Sequence, residues 1–118
     1  MDRVHVFIST GRFRSFDEIR QFIDQDYTDD GDGIDSEFMT EVGFREYEPG
    51  CIEAILSETG ESVPLFQLLQ GTSYYDQWLV ELDDALFADA AICVFSPNEI
   101  EQPCNCSMEY VGEFHYQI

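Results

Sequence analysis

The run Ala90-Ala-Ile-Cys-Val-Phe95 is apolar on both faces of an extended chain. A strand with one face in water alternates apolar and polar side chains, whereas a strand that is covered on both sides shows an unbroken apolar run. Ser96-Pro-Asn98 follows it and has the composition of a turn. We therefore predict a central buried strand over residues 90–95.

Three other segments predict strands beside it. Arg3–Ser9 alternates, and Cys51–Ser57 is a short apolar run between turn signals, whose length favours a strand over a helix. Met108–Ile118 alternates too, and we expect it to pair antiparallel with the strand at 90–95. The predicted inward-facing side chains are Val4, Val6 and Ile8 in the first segment and Met108, Tyr110, Phe114, Tyr116 and Ile118 in the last.

Two helices are predicted between the first two strands. Ser15-Phe-Asp-Glu18 has the form of a capping box, in which the serine hydroxyl and the glutamate carboxylate each accept from a free amide at a helix start. The apolar face of this helix comprises Phe16, Ile19, Phe22 and Ile23. Asp35 or Ser36 can cap a second, short helix, which Gly43 ends by taking positive φ.

The longest predicted helix lies between Tyr75 and Leu86, after a shorter one, Leu65–Leu69, that Pro64 begins. Its apolar stripe comprises Tyr75, Trp78, Leu79, Leu82, Ala85 and Leu86, and its opposite side carries Asp76, Glu81, Asp83 and Asp84. None of these carboxylates has a lysine or arginine four residues on, although soluble helices commonly pair them in that way. We therefore predict an acidic surface here.

The predicted order of elements is β-α-α-β-α-α-β-β. With 118 residues, the chain is long enough for one domain and one core but too short for two. We predict a single α+β domain over residues 1–118, with about four mostly antiparallel strands and helices packed against the sheet.

The acidic segment Asp24–Glu37 lies between the first two helices; seven of its fourteen residues are carboxylates and none is basic. We predict a solvated loop. Asp30-Gly-Asp-Gly33 is similar to part of a calcium loop, but the register fails. With Gly33 at the glycine position, Met39 stands where the bidentate glutamate belongs; with Gly31 there, Gly33 occupies an apolar position. We therefore expect no metal site.

The charge of the chain is extreme, with five Lys+Arg against 25 Asp+Glu and a formal net charge of −20. Such a field repels phosphate backbones and anionic membranes, so we expect neither nucleic acid nor membrane as a partner. It attracts a basic protein. Halophilic adaptation would give the same totals. The chain shows no signal-peptide pattern and no apolar run of membrane-spanning length, which predicts a cytoplasmic protein.

Catalysis and cofactors are not expected. Cys51 and Cys93 lie in apolar runs, as reduced core thiols do. The pair Cys104-Asn-Cys106 lacks two further zinc ligands, since the chain has only two histidines. No nucleophile–base constellation or glycine-rich phosphate loop is recognisable either. The sequence therefore predicts a binding protein and not an enzyme.

A set of core and turn residues spread over nearly the whole chain carries a family resemblance. It comprises Val4-His-Val-Phe-Ile8 leading to Phe16; Asp30-Gly-Asp32 followed by Ile34, Ser36 and Phe38; Gly43 with Tyr47 and Glu48; Trp78; Ile92-Cys-Val-Phe95; and Tyr110-Val-Gly-Glu-Phe114. In these residues the chain resembles the immunity protein 22 family of bacterial polymorphic toxin systems, small cytosolic antidotes encoded beside secreted toxins. The resemblance implies binding and inhibition of a cognate toxin, without catalysis.

Charge and resemblance together indicate a basic toxin as the partner. If the toxin is a nuclease, its cleft is basic because it holds phosphates, and an acidic antidote can cover that cleft. Tyrosines beside carboxylates would supply anchoring contacts. The candidate toxin-binding residues are Asp26, Tyr27, Asp29, Asp30, Asp32, Asp35, Glu37, Tyr47, Glu48, Tyr74, Asp76, Glu81, Asp83 and Asp84.

Two alternatives remain at this point. The first is a non-catalytic structural or regulatory domain, homodimeric through an edge strand, whose acidity serves solubility. The second is a protein that binds calcium weakly through the aspartate-rich loop. The sequence leaves the oligomeric state open.

Overall fold

The computed structural model describes residues 2–118. Within that range the strands are β1 (Asp2–Ser9), β2 (Asp26–Tyr27), β3 (Gly33–Ile34), β4 (Phe44–Glu46), β5 (Ile52–Leu56), β6 (Val63–Pro64), β7 (Phe87–Ala88), β8 (Ala90–Phe95), β9 (Glu99–Ile100) and β10 (Glu109–Tyr116). The α-helices are α1 (Phe16–Ile23), α2 (Glu37–Val42), α3 (Leu65–Leu68) and α4 (Tyr75–Trp78), and short 3-10 turns cover Pro49–Cys51, Leu79–Glu81 and Pro103–Asn105. No helix in this part of the chain is long and apolar enough to cross a membrane.

The main sheet is antiparallel and has the strand order β10-β1-β8-β5. β8 lies between β1 and β5, with Cys93 opposite Val6 on one side and Ile92 opposite Ala54 on the other. Every residue of β8 is buried. The predicted central buried strand and the α+β architecture are therefore confirmed.

Helical layers cover both faces of this sheet. One face lies under α3, α4 and the residues that follow them, and Trp78 is the largest side chain buried there. The other face lies under α1 and α2, where Phe7 and Phe38 pack edge to face with ring centroids 5.2 Å apart. Full burial of an apolar side chain such as Ile92 contributes about 2 kcal/mol, so the double cover explains why β8 carries no polar residue.

The start of α1 is close to the predicted capping box. The Ser15 hydroxyl accepts from the Glu18 amide at 3.2 Å, as in a capping box. The Glu18 carboxylate accepts from the Arg14 amide at 3.3 Å, one residue before the position that the motif predicts. Phe16 was predicted to face inward but is 51% exposed, because it is the first helical residue and projects past the sheet edge beside β5.

Ser36, and not Asp35, caps α2. Its hydroxyl accepts from the Met39 amide at 3.1 Å and donates to the Ile23 carbonyl at 2.7 Å, which ties the start of α2 to the end of α1. Gly43 ends the helix with φ 66°, as predicted.

The long helix predicted between Tyr75 and Leu86 does not form. The α-helical part ends at Trp78, and a 3-10 turn and an irregular segment follow it. Further along, the Asp83 carboxylate accepts from the Ala85 amide at 2.9 Å, a local turn that keeps the chain from resuming a helix. The buried members of the predicted stripe are Trp78, Leu79 and Leu82. The predicted acidic helix face is therefore the surface of an irregular segment.

The pairing predicted for the C-terminal strand was wrong. β10 pairs with β1, since both sides of β8 are occupied by β1 and β5. Its alternation also breaks at Val111, an extra residue that forms a bulge and turns the following side chains to the other face. Tyr110 consequently packs on the α1–α2 side and Phe114 on the α3–α4 side. Ile118 lies beyond the end of the strand and is 90% exposed, not inward as predicted.

Two short ladders connect the peripheral segments. β4 pairs with β9, so the segment after β8, predicted to be irregular, contains a strand in which Ile100 lies opposite Phe44. β6 pairs with β7, where Pro64 lies opposite Phe87. The second ladder places α3 next to the irregular segment after α4.

Candidate functional surface

The acidic segment forms an ordered hairpin. β2 and β3 pair as a two-residue ladder. Beyond the ladder, the Thr28 amide donates to the Asp32 carbonyl at 2.8 Å and the Gly31 amide donates to the Thr28 carbonyl at 2.9 Å. Gly31 has φ 86°, a conformation that hairpin loops of this kind require and that glycine adopts without strain. The predicted solvated loop is thus a turn of defined shape.

The side chains of this hairpin point into solvent. Its exposed carboxylates are Asp26, Asp29, Asp30, Asp32 and Asp35. The Asp26 carboxylate accepts from the Tyr27 amide at 2.8 Å. The other hydrogen bonds of the turn are made by backbone groups and by the Thr28 hydroxyl, which accepts from the Asp32 amide at 3.1 Å. Tyr27 and Ile34 are 62% and 48% exposed beside them. We call these five carboxylates with Tyr27 and Ile34 the hairpin surface.

The structure places Tyr47, a predicted contact residue, beneath the hairpin surface. Its ring packs against Phe44 with centroids 5.1 Å apart and is half-buried. Burial raises the pKa of the Tyr47 phenol, while a hydrogen bond with the Gln25 backbone lowers it. Gln25 immediately precedes β2, so Tyr47 supports the base of the hairpin from the core side.

Glu37 and Glu48, two other predicted contact residues, have partners within the chain. The Glu37 carboxylate lies 3.0 Å from the Arg12 guanidinium. The Glu48 carboxylate accepts from the Gly50 amide at 3.2 Å, and the Glu48 backbone is bonded to the buried Asn98 side chain. Both carboxylates therefore have local structural roles beside the hairpin surface.

The remaining predicted contact residues lie on the opposite side of the main sheet, in α4 and in the residues on either side of it. They are Tyr74, Asp76, Glu81, Asp83 and Asp84. The Tyr74 ring stacks on Tyr116 with centroids 4.5 Å apart and stays 38% exposed. Tyr75 and Val80 of the same segment are exposed as well, at 43% and 78%. We call residues 74–84 the α4 surface; the structure does not bring it together with the hairpin surface.

Carboxylates lie on both sides of the sheet, so any difference in charge between the two sides comes from the positions of the arginines. All five arginines precede residue 46. Arg20 forms an ion pair with Asp24 one helical turn away, and Arg12 forms one with Glu37. Residues 46–118 contain no lysine or arginine, so the α4 surface has no cation in its own half of the sequence.

The two histidines lie on neighbouring strands but do not meet. His5 is buried and its Nδ1 lies 2.9 Å from the Tyr110 hydroxyl, whereas His115 Nε2 lies 3.6 Å from the Glu113 carboxylate. Burial lowers the pKa of His5; Glu113 opposes that shift and Arg3 adds to it. Between residues 2 and 118, no group of three or more His, Cys, Asp and Glu side chains is placed to hold a metal ion.

The four cysteines are free thiols. Cys93 is buried and Cys51 half-buried, as predicted for core thiols. Burial raises the pKa of the Cys106 thiol to about 12, and the nearby Glu41 carboxylate adds to the shift. Thiolates are the reactive form of cysteine, so this shift disfavours reaction of Cys106 at neutral pH.

One exposed and two buried side chains were missed by sequence reasoning. Ile34 belongs to the hairpin surface, and a lone apolar residue in an acidic segment was an available signal. Asn98 and Asp89 are buried and hydrogen-bonded; the Asp89 carboxylate accepts from the Gly11 amide at 2.8 Å. Because Glu48, which Asn98 binds, and Gly11, which Asp89 binds, are distant in sequence, the local pattern carried no signal for these contacts.

Comparison with known proteins finds similarity to one family. A family model described as Immunity protein 22 matches residues 6–117. No curated protein and no solved structure matches the chain.

Proposed function

The chain belongs to the immunity protein 22 family, and from this membership we propose that it is an antidote that binds a cognate toxin in the cytoplasm and neutralises it without catalysing a reaction. The partner is a basic protein. A net charge of −20 supports this, since complementary charge accelerates encounter and rejects wrong partners. Nucleases fit the description, because a cleft that holds phosphates is positively charged.

The hairpin surface is the proposed contact, and its geometry is the observation that carries the proposal. Among its carboxylates, Asp26 accepts from the Tyr27 amide at 2.8 Å, whereas Asp29, Asp30, Asp32 and Asp35 accept no hydrogen bond within residues 2–118 and are therefore available to cations of the partner. Its backbone is held by the turn and by the Ser36 bond to the end of α1, so little flexibility is lost on binding. Exposed Tyr27 and Ile34 offer apolar contact area beside the charge.

A pair of matched charge reversals tests the proposal. The toxin probe is the purified C-terminal domain encoded by the neighbouring reading frame, and its affinity for the chain is measured at low and high salt. We expect the triple variant Asp29→Lys, Asp30→Lys, Asp32→Lys to bind several-fold or more weakly at low salt. Its melting temperature should not fall below that of the parent, because these carboxylates make none of the turn's hydrogen bonds and their replacement reduces self-repulsion.

The control triple variant is Asp76→Lys, Glu81→Lys, Asp84→Lys. It changes the net charge equally but on the α4 surface, and we expect a smaller loss of affinity. A larger loss in the control would assign the contact to the α4 surface. Unchanged affinity in both variants would show that neither acidic surface contributes to toxin binding. Co-expression with the toxin in cells provides the functional readout: failure of the parent chain to protect them would refute the antidote function itself.

A further inference from the structure

β5 is an edge strand with one open side. The Ser57 amide donates to the Asp89 carbonyl at 2.7 Å, and in an antiparallel ladder bonding alternates residue by residue. Residues in step with Ser57 therefore bond to β8, whereas Ala54 and Leu56 direct their N–H and C=O groups away from the sheet. Within residues 2–118 these outward groups have no hydrogen-bond partner.

Both helical layers flank this edge. Phe16 and Arg20 of α1 line it on one side, and Leu68 and Gln70 on the other, around a cavity of about 400 Å³. A second cavity of about 450 Å³ continues from there past the end of β5 at Leu56. The unpaired backbone groups thus lie along a groove that has apolar side chains on both walls.

The other edge of the sheet is protected. β10 carries the bulge at Val111, and exposed Glu113 and His115 stand along it. Bulges and charges are the features that block strand addition in natural sheets. β5 has a regular register, and the carboxylate of its one charged residue, Glu53, accepts from the Ser73 amide at 3.2 Å within the chain.

The negative charge around the groove favours a cationic occupant. Glu58 lines the second cavity, and the Arg20 guanidinium is already paired with the Asp24 carboxylate. A second copy of this chain would bring a further net charge of −20 and the same carboxylates to the edge. An extended segment that carries lysine or arginine brings the opposite charge and is attracted.

We propose that β5 is the site at which an extended, cationic segment of the toxin adds to the sheet as a further strand. The backbone of the segment bonds to the outward groups of Ala54 and Leu56, and its alternate side chains contact Phe16 on one side and Leu68 on the other. The inference rests on the proposed function and deepens it by naming the contact that gives the complex its backbone pairing.

Hydrogen exchange of the unaltered chain tests this directly, with the C-terminal domain of the neighbouring gene product as probe. We expect the amides of Ala54 and Leu56 to exchange fast in the free chain, and strand addition should slow them on the order of tenfold or more. Binding that leaves both amides unprotected overturns strand addition while the proposed function stands. Absence of any binding overturns both.

Proline substitution supplies the second test. Ala54→Pro removes an outward amide that β8 does not use, a position at which edge strands accept proline, and we expect affinity to fall on the order of tenfold or more with little change in melting temperature. His115→Pro makes the same change on the outer side of β10 and should leave affinity unchanged. Equal losses in the two variants overturn the proposal, as does a free chain that is dimeric and becomes monomeric on Ala54→Pro.

The charge of the added segment is tested at the rim of the groove. Glu58→Lys should weaken toxin binding several-fold, since Glu58 lines the second cavity. Glu61→Lys, an exposed carboxylate of the same turn, should have a smaller effect. Equal effects would contradict a cationic segment in the groove.

Discussion

Asn98 joins the end of β8 to the turn before β5. Its Oδ1 accepts from the Glu48 amide at 2.7 Å, and its Nδ2 donates to the Glu48 and Phe95 carbonyls at 2.9 Å. Asn98→Ala removes these partners at a site that is 1% exposed. We expect the free energy of unfolding in urea to fall by about 1–3 kcal/mol. Asn105→Ala, which removes one exposed hydrogen bond, is the control; an equal loss there would contradict the role of burial.

His5 makes stability depend on pH. Burial lowers its pKa in the folded chain, so folding favours the neutral imidazole. The stability that the neutral His5 imidazole contributes is fully present above pH 6.5, its ordinary pKa. This stability is lost as the pH falls below 6.5, because the unfolded chain takes up the proton first. We expect the parent to lose more stability than His5→Gln between about pH 7.5 and pH 5.5.

The comparison of these two chains isolates His5, because protonation of the carboxylates is common to both. Parallel stability curves for the parent and His5→Gln would contradict the assignment.

At the scale of elements, the stability of α2 depends on the residue that ends it. Gly43 has φ 66°, and its amide donates to the Met39 carbonyl at 3.0 Å. The Cβ of Gly43→Ala would meet nothing closer than the Glu101 Cβ at 3.9 Å, so its cost is backbone strain alone. We expect the free energy of unfolding to fall by about 1–2 kcal/mol. Gly50→Ala, at a glycine without positive φ, should change it by less than about 0.5 kcal/mol; equal losses would contradict the explanation.

Element prediction succeeded where a local cause was sufficient. The caps at Ser15, Ser36 and Gly43 depend on bonds within three or four residues, and the structure contains all three. The helix predicted between Tyr75 and Leu86 failed, because apolar spacing there reflects burial of an irregular segment that a local turn interrupts. Helical spacing shows which residues are buried but not that the backbone between them is helical.

At the scale of the whole molecule, the net charge makes self-repulsion a destabilising term. The net charge is −20 and the radius of gyration is 14.0 Å. At about 10 mM salt the Debye length is about 30 Å, so charges repel across the entire molecule; at about 1 M it is about 3 Å. We expect the melting temperature to rise with sodium chloride over this range, as measured by thermal denaturation.

The control for the salt series is calcium chloride at matched ionic strength. It should give a similar melting temperature if the hairpin binds no calcium. A saturable additional stabilisation below about 1 mM calcium, a concentration at which specific loops bind the ion, would establish a site in the hairpin. A melting temperature that does not respond to sodium chloride would contradict the importance of self-repulsion.

The candidate surfaces were predictable in composition but not in arrangement. The density of carboxylates in residues 24–37 and the absence of cations after residue 45 are properties of the sequence. Tertiary packing decided that Tyr47 supports the hairpin from below, that the α4 surface lies on the other side of the sheet, and that Ala54 and Leu56 stand at an open edge.

The sequence by itself determined the main strands, the α+β class and the acidic character of the exterior, because apolar periodicity and charge are properties of neighbouring residues. Only the tertiary structure decided that β10 lies beside β1, which face each surface occupies and which edge of the sheet stays open. The physical reason is that strand order depends on hydrogen bonds and packing between residues far apart in the chain. Several arrangements can satisfy the same local pattern, and only the packed core distinguishes them.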